Sequence, residues 1–77
     1  MPLLIRNGLQ HARKSRPGKV LQQHVGEAAG LDAPRVCRME AGEILPTRTE
    51  LRAIARFLKV KPAALYARAI LAIIEKG

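Results

Sequence analysis

The stretch QQHVGEAAGLDAPRVCRMEAG, residues 22–42, contains two short helical segments separated by a glycine. The first is predicted over residues 21–29, and Gly30 suits the left-handed position that ends a helix. The second, residues 32–41, opens with an aspartate, which is a favoured N-cap residue. A short helix, a glycine turn and another short helix together predict a helix-turn-helix over residues 21–41.

The second helix of this pair has one inward stripe and one outward side. Pro34 would be its second helical residue, where a missing N–H costs little because the first-turn donors have no helical partner. Val36 and Met39 are spaced to face a core, which leaves Arg35 and Arg38 on the outward side. These two arginines are three residues apart and are therefore neighbours on the helix surface.

The rest of the chain also divides into segments of helical length. A first helix is predicted from Leu3 to Arg16, with Gly8 inside it. A fourth is predicted after the Thr47–Glu50 capping box, and a fifth, begun by a proline, over residues 62–75. No alternating β-branched run is present, so residues 1–77 are predicted to form one all-α, five-helix domain.

The charge of the chain points to a polyanionic partner. Its 77 residues carry 14 Lys and Arg against six Asp and Glu, a net charge of +8. Nucleic acid is the leading candidate and an anionic membrane surface is the second, although charge can also serve solubility alone. A single cysteine, Cys37, fits a reducing cytoplasm. We expect no signal peptide and no membrane span.

The C-terminal helix is the second functional candidate. Its apolar residues form a stripe that is wider than one side of a small bundle can bury. We therefore expect a homodimer interface on this helix, at Leu65, Ile70, Ile73 and Ile74. The alternative is that the helix folds back into its own core, because small domains need every apolar residue.

In register, these motifs resemble the Xre, Cro and phage-repressor family of helix-turn-helix DNA-binding proteins. The similarity covers about residues 9–65. It rests on the stretch LKVKPAALY, residues 58–66, and on Gln22, Val25, Gly26, Gly30, Leu31, Val36, Glu40, Gly42 and Pro46. The resemblance implies a lambda-repressor-like fold that places its third helix in the major groove of double-stranded DNA. It also implies an ion pair between Glu40 and Arg13 of the first helix.

Roles for the site residues follow from the resemblance and from groove chemistry. Arg35 and Arg38 are the candidates for hydrogen bonds to guanine, and Ala33 and Pro34 offer only apolar contact, for example with a thymine methyl. Both arginines could instead contact phosphates. The predicted phosphate-binding residues are Gln22, Lys19, Arg16, Lys14 and Arg48.

Four residues depart from the family pattern. Leu21 stands where a Ser or Thr cap is usual, and Gly26 stands where a small alanine is usual. The pair Ala33–Pro34 stands where polar base-reading residues are common. Because these two cannot donate side-chain hydrogen bonds, the two arginines must supply most of any direct readout.

The function expected from these features is a dimeric transcriptional regulator that binds a near-palindromic operator. The resemblance leaves open a Cro-type repressor, a restriction–modification controller and an antitoxin. The alternative is an antitoxin-type protein-interaction module, whose last helix binds a partner such as a toxin or a polymerase, while DNA binding serves autoregulation. Peripheral lipid binding is a third hypothesis, which the few charges of that helix disfavour. His11, His24 and Cys37 are too few and too dispersed for a zinc site, and we expect no cofactor and no enzyme activity.

Overall fold

The fold consists of five α-helices and one short 3₁₀ helix. The structure is a computed structural model that describes residues 4–77, and no strand occurs within that range. The helices are α1 (Leu9–Lys14), α2 (Gln22–Ala29), α3 (Ala33–Ala41), α4 (Arg48–Leu58), the 3₁₀ helix (Pro62–Ala64) and α5 (Arg68–Lys76). The prediction of an all-α, five-helix domain is confirmed.

The turn between α2 and α3 is closed by backbone contacts. Gly30 has φ +73°, in the left-handed region that favours glycine. The N–H of Leu31 donates to the carbonyl of Gly26 at 2.7 Å, and a Cβ at Gly26 would lie 2.5 Å from the Leu31 carbonyl oxygen. Gly26 therefore lets the chain fold back closely on α2, which sets the angle at which α3 leaves the turn.

Side-chain caps begin α3 and α4, as the sequence predicts. Asp32 Oδ1 accepts from the backbone N–H of Arg35 at 3.0 Å. At the start of α4, Thr47 Oγ1 accepts from the N–H of Glu50 at 3.1 Å, and Glu50 Oε1 accepts from the N–H of Thr47 at 2.8 Å. These reciprocal bonds form the predicted capping box.

α2 begins without a side-chain acceptor at Leu21, and His24 partly compensates. The N–H of Leu21 donates to His24 Nδ1 at 3.0 Å, so the imidazole occupies the place of the Glu or Gln of a capping box. Leu21 itself is 41% exposed and does not join the core.

The core is aliphatic, with one tyrosine. Val36 and Met39 are fully buried, as predicted for the inward stripe of α3. The other buried apolar residues come from α1, α2, α4 and α5 and from the segment after the 3₁₀ helix: Leu9, Ala12, Val25, Leu51, Ile54, Ala55, Leu58, Leu65, Tyr66 and Ile74. Because α3 contributes two of the most buried side chains, its outward side is held rigidly by the core.

The prediction for the first helix is wrong in its extent. Its predicted start, Leu3, lies outside the described residues, and α1 begins only at Leu9. Residues 5–8 instead make long-range backbone bonds: the N–H of Ile5 donates to Gly42 O at 2.9 Å, and that of Gly8 donates to Leu65 O at 2.7 Å. These bonds to distant carbonyls replace the helical bonds that the local pattern predicted.

The fifth helix is also not continuous. A 3₁₀ turn ends at Ala64, and α5 begins after Ala67, which is extended at φ −62°, ψ 154°. On one straight helix, Leu65 and Ile74 would point about 180° apart, because nine residues make two and a half turns. The break lets both face the same core, where they are 1% and 4% exposed.

Two predicted interface residues are consequently corrected. Leu65 and Ile74 belong to the core of the domain and are not available to a partner. Ile70 is half-buried against the core, and Ile73 is 56% exposed on the outer side of α5.

Candidate nucleic-acid interface

The outward side of α3 carries one cation without a carboxylate partner. Arg38 is exposed and makes no ion pair within residues 4–77. Pro34 and Cys37 are exposed beside it, and Ala33 is half-buried at the first helical position. The exposed surface of α3 is therefore apolar near its N-terminus and cationic in its second half.

Arg35, the other predicted base-reading arginine, is held by the next helix. Its Nη2 donates to Glu50 Oε1 at 3.2 Å, and the side chains are 39% and 16% exposed. The same Glu50 oxygen accepts from the N–H of Thr47. A single carboxylate thus caps α4 and fixes the tip of a side chain on α3.

Glu50 remains ionised in this setting. Burial raises the pKa of Glu50. The hydrogen bond from the N–H of Thr47 and the interaction with the guanidinium of Arg35 together lower it by more, so the pKa of Glu50 lies below the ordinary value of 4.5. The attraction between Glu50 and Arg35 is therefore present at neutral pH and is lost only in acid, below the range in which a free glutamate titrates.

A second group of hydrogen bonds holds α3 from its other end. Glu40 Oε2 accepts from Arg13 Nε at 2.7 Å, and Glu40 Oε1 accepts from Arg13 Nη2 at 3.1 Å. Arg13 Nη1 also donates to the Val20 carbonyl at 2.9 Å. The ion pair that the resemblance implies is present, and its bonds raise the pKa of Arg13 despite burial.

Gln22 joins this network through its side chain. Its Nε2 donates to Glu40 Oε1 at 3.0 Å, and its side chain is half-buried. Gln22 lines a shallow groove with Gln10, Cys37 and Ala41. Its amide N–H₂ is thus partly engaged in bracing α3, which reduces what it can offer to a phosphate.

The other predicted phosphate-binding residues lie at the surface. Lys14 and Lys19 are exposed and Arg16 is half-buried, all in or beside the connection from α1 to α2. Arg48 is exposed in the first turn of α4, with Nη1 at 4.0 Å from Glu75 Oε2. At this distance and exposure the pair is weak, so Arg48 can exchange Glu75 for another anion.

Most cations of the molecule are not neutralised within the chain. Within residues 4–77, four of the 14 Lys and Arg lie within 4.0 Å of a carboxylate. The remaining ten leave a surplus of positive charge at the surface. A surface of this kind attracts a polyanion over about a Debye length, roughly 8 Å at physiological salt.

The described part of the chain was compared with the requirements of a metal site and of a membrane-spanning helix. No group of three or more His, Cys, Asp or Glu side chains could hold a metal ion there. None of the helices in that range is long and apolar enough to cross a bilayer.

Sequence reasoning missed two contributions to the site. Glu50 was predicted only as a helix cap, because its pairing with a residue 15 positions earlier has no local signature. Asn7 is the second contribution: its Nδ2 donates to the Met39 carbonyl at 2.9 Å and its Oδ1 accepts from the N–H of Leu9 at 3.0 Å. Asn7 thereby ties the start of α1 to the end of α3.

Comparison of the chain with protein-family models, with curated proteins and with solved structures gives no match.

Proposed function

We propose that this protein is a sequence-specific regulator of transcription that binds double-stranded DNA through α3. The observation that carries the proposal is the outward side of α3, which presents Arg38 from a helix braced at both ends. Nine residues make α3 about 14 Å long. An α-helix with its side chains is about 10–12 Å across, which fits a major groove about 12 Å wide.

The proposed readout divides the outward residues by chemistry. Arg38 and Arg35 each have a guanidinium that can donate two hydrogen bonds to guanine O6 and N7. Pro34 and Ala33 have only apolar surface to offer, which suits a thymine methyl group. α3 is held near its N-terminus by the bond between Arg35 and Glu50 and near its C-terminus by the bonds between Glu40 and Arg13. This support favours readout of bases, because a rigid helix keeps its outward side chains in fixed positions relative to the base pairs.

The surface cations supply the sequence-independent part of binding. Lys14, Arg16, Lys19 and Arg48 are proposed to contact phosphates, with Gln22 as a weaker participant because Glu40 already holds its amide. Each phosphate that a cation neutralises makes the slope of log affinity against log salt concentration steeper by nearly one unit. These residues would place α3 in the groove without choosing the sequence.

A homodimer is the proposed assembly, with the outer side of α5 as its interface. Ile73 is 56% exposed, the second most exposed of the large apolar side chains in the described chain after Leu4 at 59%. Pairing two copies would cover Ile73 and the open edge of Ile70, and would present two reading helices to half-sites about 34 Å apart.

The exposed Ile73 also favours a second candidate function. The same outer side of α5 could bind a different protein, such as a toxin or a polymerase, and DNA binding would then serve autoregulation. Both candidates operate in the cytoplasm, where the exposed thiol of Cys37 stays reduced.

The test compares two single variants on the same set of DNA duplexes. A preferred duplex is first selected from a random pool with the full chain, and binding is then titrated at several salt concentrations. Arg38→Ala should lose discrimination at one base pair in each half-site, a loss of about 1–3 kcal/mol. Lys19→Ala should weaken binding to every duplex and reduce the salt slope by about one unit.

Two outcomes would count against the proposal. If the unmodified protein selects no preferred sequence, its binding is electrostatic only and the regulator function fails. If Arg38→Ala has the same effect as Lys19→Ala, Arg38 contacts a phosphate and the assigned readout by α3 is wrong.

A further inference from the structure

The two outward arginines of α3 differ in how firmly they are held. Arg38 has no carboxylate within 4.0 Å among the described residues, so its guanidinium can move between bases and phosphates. Arg35 is fixed at both ends. Its backbone N–H donates to Asp32 Oδ1 at 3.0 Å, and its Nη2 donates to Glu50 Oε1 at 3.2 Å.

Glu50 is itself held in place. The N–H of Thr47 donates to Glu50 Oε1 at 2.8 Å, and the Glu50 side chain is only 16% exposed. The carboxylate therefore has little freedom to follow a moving arginine. The direction of the bond from Arg35 is set by the capping geometry of α4.

The contact leaves Arg35 able to read a base. A guanidinium has two edges that each present a pair of donors, one with Nε and Nη2 and the other with Nη1 and Nη2. One bond from Nη2 to Glu50 occupies a single hydrogen, so one complete two-donor edge stays free. Guanine O6 and N7 require such a pair of donors.

We propose that Glu50 is a positioning residue for DNA readout, which aims the free edge of Arg35 at one guanine in each half-site. The inference rests on the proposed function and adds to it that Arg35, although the less exposed arginine, is the more discriminating one. A side chain that is already ordered loses less conformational freedom on binding, and it rejects a misplaced acceptor because it cannot turn to meet it.

The experiment measures base preference in a cycle of variants. Glu50→Gln keeps a side-chain oxygen for the N–H of Thr47, because glutamine also serves in capping boxes, but it removes the charge that holds Arg35. Arg35→Ala and the double variant complete the cycle. Thr47→Ala is the matched control, since it removes half of the same cap and leaves Arg35 and Glu50 unchanged.

Each protein is titrated with the selected duplex and with duplexes that carry single base-pair changes in the half-site. Glu50→Gln should reduce the preference for guanine at one position by roughly three- to tenfold, part of the roughly 5- to 150-fold that a full bidentate contact provides. It should have no further effect in the Arg35→Ala background. Thr47→Ala should lower the melting temperature without changing any base preference.

Several results would overturn the inference. If Glu50→Gln strengthens binding to all duplexes equally, Glu50 only repels phosphates. If Arg35→Ala changes no base preference, or if Glu50→Gln still acts when Arg35 is absent, Glu50 does not work through Arg35. In each of these cases the unmodified protein still selects a sequence. A protein that selects none would instead refute the proposed function.

Discussion

Removing either partner of the buried ion pair between Arg13 and Glu40 alone should cost far more stability than removing both partners together. The two side chains are only 10% and 6% exposed, and they share two hydrogen bonds of 2.7 and 3.1 Å. Replacing Arg13 by Met would leave Gln22 as the one side-chain partner of the Glu40 carboxylate among residues 4–77, and would leave the Val20 carbonyl without its donor.

The expected loss follows from what a buried, unpaired charge costs. Breaking a buried ion pair by removing one partner destabilises proteins by about 3–5 kcal/mol. A domain of 77 residues has a total stability of roughly 4–12 kcal/mol. Arg13→Met, and likewise Glu40→Leu, should therefore remove a large share of the stability of the protein.

The double variant should recover most of that loss. With both charges gone, no buried ion remains, and apolar side chains of similar volume often replace such a pair at little net cost. What remains is the Gln22 amide, which is half-buried and can reach water, and the Val20 carbonyl. We expect the double variant to exceed both single variants in stability, with a coupling energy of at least about 3 kcal/mol.

Urea unfolding followed by far-ultraviolet circular dichroism measures these free energies, provided that the m-values agree between variants. Arg52→Met is the matched control. Arg52 pairs with Glu75 at 3.5 Å, but both side chains are at least half exposed, so its removal should change stability by less than about 1 kcal/mol. Single variants of Arg13 and Glu40 that cost as little as Arg52→Met, and whose effects simply add, would refute the reasoning.

Three further predictions concern other parts of the molecule. Tyr66→Phe should stabilise the protein by about 1–3 kcal/mol, because the buried Tyr66 hydroxyl makes no hydrogen bond within residues 4–77. Burial raises the pKa of Tyr66 from 10.0 to about 12, so wild type should lose stability relative to Tyr66→Phe as the pH rises through this interval, by at most about 3 kcal/mol in urea unfolding. Gly26→Ala should destabilise the protein in thermal unfolding although it adds helix propensity, because the new Cβ would lie 2.5 Å from the Leu31 carbonyl oxygen; an increased melting temperature would contradict this packing. Ile73→Asp should shift the protein to a monomer in sedimentation at micromolar concentration, and an unchanged dimer would exclude this side of α5 as the interface.

Elements whose ends are set by neighbouring residues could be predicted from the sequence. α3 begins at the Asp32 cap and ends at Gly42, whose φ is +83°, and α4 begins at the Thr47–Glu50 capping box. Each of these signals acts over three or four residues, so it is complete in a short stretch of chain. The same locality made the inward stripe of Val36 and Met39 predictable, and with it the outward position of Arg38.

Elements whose ends depend on distant residues could not be predicted in this way. The pattern before Leu9 is helical, but the N–H groups of Ile5 and Gly8 bond to carbonyls more than 30 residues away. The break before α5 is likewise absent from the local pattern, because it serves to turn both Leu65 and Ile74 toward one core. In both segments tertiary contacts compete with marginal local helix propensity and outweigh it.

The same distinction between local signals and long-range contacts applies to the candidate site. The residues that α3 presents outward follow from its amino-acid pattern alone, since the helical period and two buried side chains leave no other choice. Which of them are restrained depends on helix packing, because α4 brings Glu50 within 3.2 Å of Arg35, whereas Arg38 has no such partner among residues 4–77. Spacing along a helix is a local property, whereas an ion pair between two helices exists only after they pack.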